Sequence, residues 1–171
     1  MKRLFIILGF VFLIFGIVTL LIPATRTASR TVSLPAVREH VFEVVTRIED
    51  QSWRPSVGSV RVLKSDHGQE EWVEVSKDGH ELTFRTIRKV EPELFEIEFS
   101  GNPSIRGRWS GRFDEQAENE TRVVFTETVT DGNLPSKVLG CLFFDLDATL
   151  DTYINDLRNK LEGDAHEKAS R

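Results

Sequence analysis

Residues 70–115, EEWVEVSKDGHELTFRTIRKVEPELFEIEFSGNPSIRGRWSGRFDE, alternate apolar and polar side chains through four runs, each closed by turn-forming residues. Alternation with a period of two puts one face of a strand in a core and the other in water. The pattern predicts strands over 70–76, 81–90, 94–100 and 105–115. The punctuation between them is Lys77-Asp78-Gly79, Glu91-Pro92-Glu93 and Gly101-Asn102-Pro103. Asp-Gly is a strong tight-hairpin signal, and short connections between consecutive strands make an antiparallel meander.

Working outward, residues 57–64 read as a strand ended by Ser65-Asp66-His67-Gly68, and 51–56, with Trp53 and Pro55, as an irregular segment. Val37, Val41, Val44, Val45 and Ile48 recur at helical spacing, which predicts an amphipathic helix over 35–48 with Pro35 in its first turn. Residues 28–34, rich in Ser, Thr and Val, read as the first strand. On the other side, 121–130 read as the last strand, after the polar loop 116–120. Leu139, Leu142, Leu146, Leu150, Tyr153, Leu157 and Leu161 then step by three or four, predicting one long helix over 135–161. Residues 163–171 read as a polar, disordered tail. The expected fold is α+β: a seven-stranded antiparallel curved sheet whose apolar face only the long C-terminal helix can cover.

The chain has 171 residues and a net charge of −5; beyond Lys2 and Arg3 it carries 20 basic against 27 acidic residues, a net −7. That balance excludes the basic footprint of a nucleic-acid binder and a polybasic grip on anionic lipid. Attachment to a membrane is instead expected from Leu4 to Ile22, a 19-residue run without a charge that follows Lys2-Arg3 and ends at Pro23. Such a helix is about as long as the hydrocarbon core of a bilayer, roughly 30 Å. A cleaved signal peptide fits less well, because the run exceeds the usual length and Ala24 and Ala28 have Ile22 and Arg26 at the −3 position. The expected organisation is a single-pass anchor over 1–25, a ligand-binding domain over 26–162 and the tail. Lys2 and Arg3 place the domain outside the cytoplasm, although Arg26 and Arg30 on the other flank weaken that bias.

Five short stretches, in order, carry a family resemblance. They are Ser33-Leu34-Pro35-Ala36-Val37-Arg38-Glu39-His40-Val41-Phe42-Glu43-Val44-Val45, Trp53-Arg54-Pro55-Ser56-Val57, Gly107-Arg108-Trp109, Glu120-Thr121-Arg122-Val123 and the closing amphipathic helix. With them the chain resembles the START-related, birch-pollen-allergen-like superfamily, also called the polyketide cyclase/dehydrase and lipid transport family, over nearly all of residues 28–162. The resemblance implies a helix-grip fold with a cavity between the curved sheet and the long helix. Members bind apolar or amphipathic ligands there, and a minority carry out cyclisation or other chemistry in the cavity. Fold alone does not choose between these outcomes.

Alternation assigns the faces. Phe84 shares a face with Leu82, Val90, Thr86 and Arg88; Phe95, Ile97 and Phe99 share another, with Glu96 and Glu98 facing out. Ile105, Trp109 and Phe113 line up with Gly107 and Gly111, and Val123, Phe125 and Val129 with Glu127. With Leu142 and Leu146 from the helix, Phe84, Arg88, Phe95, Ile97, Phe99, Trp109, Phe125 and Glu127 are the expected cavity lining. The same stripes would equally fill a solid core; Gly107 and Gly111 favour a cavity by leaving room. Glu127 and Arg88 break apolar stripes, so they are expected to meet a ligand's polar head or each other, or to reach solvent at strand ends. An inward, unpaired Glu127 should have its pKa raised. Phe143 and Phe144 belong to an all-apolar turn, Gly140 to Phe144, that could gate a cavity mouth, touch a bilayer or pack beneath a loop.

Signals for catalysis are poor. His40, His67, His80 and His166 are scattered without metal-ligand spacing, and Cys141 reads as a small apolar helix residue. Asn119-Glu120-Thr121 is a lone sequon in a hairpin turn. No catalytic, cofactor or metal site is assigned. The leading expectation is a membrane-anchored domain that binds a hydrophobic or lipid-like small molecule, with transport as an extension of that role. A cyclase/dehydrase-type enzyme using the same cavity and a surface interaction module with a filled core are the alternatives.

Overall fold

The computed structural model describes residues 16, 23–66, 69–101, 105–133, 137–138, 140 and 144–170. The elements are β1 (Thr25–Leu34), α1 (Arg38–Thr46), β2 (Val57–Lys64), β3 (Glu71–Ser76), β4 (Glu81–Val90), β5 (Leu94–Ser100), β6 (Ile105–Ala117), β7 (Glu120–Asp131) and α2 (Leu146–Ala169). The seven strands form one antiparallel curved sheet in the order β1-β7-β6-β5-β4-β3-β2. The meander runs from β2 to β7, and β1 adds to its end by pairing with β7, Thr25 opposite Thr130 through Leu34 opposite Thr121. The strand expectations therefore hold, with β1 starting three residues earlier than read. Gly79 closes the β3–β4 hairpin at a φ of +82°, a conformation that costs glycine nothing.

α2 crosses the inner face of the sheet and packs over β1 and β7. Its Leu150, Leu157 and Leu161 are fully buried against the same core as Leu34, Phe113, Val123 and Phe125. Opposite, α1 inserts Val41 and Phe42, and the Phe42 and Phe113 rings meet edge to face at 5.3 Å. Burial of these aliphatic and aromatic side chains is the main force closing the sheet on its helix.

Three features differ from the sequence reading. First, the predicted helix is interrupted: Lys137, Val138 and Gly140 are helical, Phe144 and Asp145 are not, and α2 begins at Leu146. Asp145 is extended, and its side chain accepts from the Ala148 N–H at 3.0 Å, an N-cap that starts a new helix. The Phe144 carbonyl, which a continuous helix would use internally, accepts from the Arg26 guanidinium at 2.9 Å, as the Gly140 carbonyl does at 2.8 Å. Second, α2 continues to Ala169, so residues 163–169 are helical and not a disordered tail. Asp164 lies 2.7 Å from Lys160 one turn earlier and 3.3 Å from His40 Nε2 of α1.

Third, β4 carries a bulge. The register with β5 shifts between Thr86 and Arg88, which inverts the alternation beyond it. Arg88 consequently faces out opposite Glu96, and Lys89 turns inward over the Phe95 ring at 6.0 Å, where it pairs with Glu70 at 3.4 Å. Edge strand β2 is also irregular, with breaks in its pairing to β3 between Val57 and Ser59 and between Val62 and Lys64.

Leu4 to Ile22, apart from Gly16, lies outside the described residues, as do Leu139, Cys141, Leu142 and Phe143. Among the described residues no helix is long and apolar enough to cross a membrane.

Candidate functional site

The sheet directs Phe84, Phe95, Ile97, Phe99, Trp109 and Phe125 into the interior, where all are buried with Leu146 from the first turn of α2. Their rings touch. Trp109 lies 5.4 Å from Phe125 and 5.6 Å from Tyr153 of α2, and Tyr153 lies 5.5 Å from Phe125, each between ring centres. The two glycines expected to leave room are covered as well. The Phe99 ring occupies the place of a Gly107 side chain, and the rings of Trp109 and Phe113 close over Gly111 at 3.0 Å from where its Cβ would stand. Of the other expected lining residues, Arg88 lies on the outward face of the sheet, Leu142 lies outside the described residues, and Glu127 stays with the aromatic cluster.

Glu127 sits opposite Trp109 on β6 and Ala28 on β1. It is partly buried and has no hydrogen bond or ion pair among the described residues. Burial pushes its carboxyl up to about 7, against the pull of the Arg54 guanidinium. Burial also lifts the Tyr153 phenol well above the usual range; Arg54 opposes this, and Glu74 and Glu127 add to it. Neither Arg88 nor any strand cation serves Glu127: the positive charge it feels comes from the irregular segment before β2.

That segment is built to hold Arg54. Gln51 donates to the Arg47 carbonyl at 2.8 Å, and the Arg54 N–H bonds back to the Gln51 carbonyl at 3.0 Å, making a tight turn after α1. Arg54 then donates to Glu74 at 3.0 Å and to Gln51 at 3.2 Å, and its guanidinium lies 5.7 Å from the centre of the Tyr153 ring. Trp72 donates its indole N–H to Glu74 at 3.1 Å, which fixes the carboxylate from the other side. The Trp53 ring meets Tyr153 edge to face at 5.3 Å. The site is thus a protonated phenol, a guanidinium and a carboxyl near its midpoint at neutral pH, set in an aromatic wall. It can donate to, accept from or neutralise the polar group of an otherwise apolar molecule.

A separate small pocket of about 40 Å³ lies between α1 and the C-terminal half of α2, lined by His40, Glu43, Arg47, Trp53, Lys160 and Asp164. It has room for a water or two. Among the described residues no group of three or more His, Cys, Asp or Glu side chains is arranged to hold a metal.

A family model for polyketide cyclase/dehydrase and lipid transport proteins matches residues 25–152. The chain belongs to that family. Solved structures of the same fold are similar over most of their length. A START superfamily protein from Mycobacterium smegmatis is 13% identical, with a TM-score of 0.65, over 80% of this chain and 97% of that one. The Zhui aromatase/cyclase from Streptomyces sp. R1128 is 16% identical, with a TM-score of 0.67, over 81% and 94%. Norcoclaurine synthase from Thalictrum flavum is 7% identical, with a TM-score of 0.64, over 82% and 96%. No curated protein matches by sequence. For this member of the polyketide cyclase/dehydrase and lipid transport family, the likeness therefore establishes the helix-grip fold, and activity has to be argued from the residues.

Proposed function

We propose that the domain binds an amphipathic, lipid-like small molecule between the sheet and α2, with Glu127, Tyr153 and Arg54 receiving its polar group. We propose further that Leu4 to Ile22 holds the domain on a membrane, outside the cytoplasm. One observation carries the binding reading: Glu127, partly buried beside the aromatic cluster, makes no hydrogen bond or ion pair among the described residues. A partly buried carboxyl lacking a hydrogen bond costs free energy when ionised. Its retention is explained by a ligand that supplies the missing partner. Because Trp109, Phe125 and Tyr153 touch, a ligand seated between the sheet and α2 must part these rings. A tether raises the effective concentration of membrane-derived ligands at the site.

The test is native mass spectrometry of the full chain purified from its own cells, followed by uptake assays with fatty acid, phospholipid and isoprenoid. A co-purifying lipid whose retention weakens in Glu127→Gln supports the reading. Absence of uptake of all three classes, with the interior still ring-filled in solution, sinks it in favour of a filled-core interaction module.

A second reading, an enzyme of the cyclase or dehydrase kind, is favoured by the Glu127 carboxyl at about 7 beside the Tyr153 phenol, since a group near its midpoint can both give and take a proton. Loss of water from a linear poly-β-carbonyl thioester, abolished in Glu127→Gln, would select it.

A further inference from the structure

β1 starts at Thr25, only three residues beyond Ile22, where the apolar run ends. Consecutive Cα atoms are about 3.8 Å apart, so Thr25 stands within roughly 11 Å of the end of the run. The polar layer on each side of a bilayer is about 5–8 Å deep. Nor is the connection free: the Ala24 carbonyl already accepts the Asp131 N–H at 2.9 Å, which pins the link to the end of β7.

Two side chains gather at this same end. Ile105 opens β6 directly opposite Asp131 and is 36% exposed. Phe144, held through its carbonyl by Arg26 of β1, is 43% exposed. Strands lie about 4.8 Å apart, so Ile105, two strands over, is about 10 Å from the tether. The other exposed large apolar residues, Val37, Val62, Leu63 and Ile87, lie beyond the far end of β1 or on β2 and β4, away from it.

We infer that this end of the sheet, marked by Thr25, Ile105 and Phe144, is the surface that rests on the lipid bilayer, with Ile105 and Phe144 seated at the headgroup–acyl boundary. The inference rests on the reading of Leu4 to Ile22 as an anchor. Exposed apolar groups beside a span-length run fit a lipid surface, since amphipathic contacts of this kind bury their apolar side chains about 5–10 Å into the boundary. Glu127 is four residues from Asp131 along β7, which puts the proposed polar site about 13 Å from this end of the sheet. The hairpin at Asn119, at the other end of the 13-residue β6, is about 40 Å away along the strand.

The full chain carrying Cys141→Ser is reconstituted into phosphatidylcholine–phosphatidylglycerol vesicles with one cysteine introduced by Ile105→Cys, Phe144→Cys or Asn119→Cys. Each variant is labelled with an environment-sensitive dye and read in brominated against ordinary lipid. The expected result is a loss of roughly half the emission at 105 and 144, as for groups seated at the boundary, and none at 119. Alkaline carbonate extraction of the same vesicles separates the two readings. A chain released by carbonate overturns the anchor and this inference with it. A chain that stays in the membrane with 105 and 144 unquenched, or with all three sites quenched alike, overturns this inference alone. Thermal unfolding matched to the parent shows that each variant is folded.

Discussion

Arg26 and Asp131 form an ion pair at 3.3 Å that joins the first residues of β1 to the last of β7, and the Asp131 side chain is only 3% exposed. The same guanidinium takes the carbonyl oxygens of Gly140 and Phe144, so one side chain closes the sheet and ends the helical stretch that precedes α2. A side chain at position 140 would collide with it, its Cβ falling 2.7 Å from Arg26 Nη2.

Removing one partner of such a pair leaves a buried charge alone. Arg26→Ala is expected to destabilise the full chain by about 3 kcal/mol, seen as a lowered Tm. Adding Asp131→Asn should restore part of the loss. A double variant no better than the single one would show that the carbonyl contacts, and not the charge, carry the effect.

Glu127 gives a pH signature. Its carboxyl is at about 7 in the folded chain against 4.5 ordinarily. Below 4.5 it is protonated in both states and costs nothing. Between 4.5 and 7 the folded chain keeps a proton that the unfolded chain releases, so stability falls as pH rises, and above 7 the full cost persists. Glu127→Gln should therefore match the parent near pH 4.5 and exceed it by up to about 3 kcal/mol at pH 8, measured by thermal unfolding across pH.

Arg54 opposes that rise. In an Arg54→Ala background the pH at which the Glu127→Gln advantage levels off should move upward. The variant itself should lose about 2 kcal/mol because Glu74 is left with the Trp72 indole alone. An unchanged pH profile would place Arg54 too far from Glu127 to matter.

Gly107 is a packing position. Gly107→Ala must push the Phe99 ring aside and is expected to cost about 1–3 kcal/mol of stability. Combining it with Phe99→Leu should recover much of this in the same unfolding measurement. If Gly107→Ala alone is neutral, the space over Gly107 is open in solution, as a ligand cavity would require.

The strands were legible because each ends in local chemistry: Asp78-Gly79, Pro92 and Gly101 stop a run wherever the chain lies in the fold. What failed depended on partners far along the chain. Nothing near Ile87 announces the bulge, so strict alternation carried Arg88 to the wrong face and hid the inward turn of Lys89. The break before α2 is set by Arg26, more than a hundred residues earlier, together with the Asp145 N-cap. Glu127 was found as a charge in an apolar alternation. Arg54 was missed because it lies in a segment without periodicity; its one signal was its place between Trp53 and Pro55 in a stretch matched to the family. Gly107 and Gly111 suggested emptiness because a sequence does not show which ring folds over a bare backbone.

The broken register of β2 has a consequence for how molecules meet. A straight edge strand offers a row of free N–H and C=O groups on which a second copy can extend the sheet, the first step of aggregation. In β2 only Ser59 to Val62 run in unbroken register, and Lys64 follows the second break with a charge. A neighbouring copy finds four residues to pair with and then a kink. The β2 edge of the sheet is therefore a poor template for a second copy.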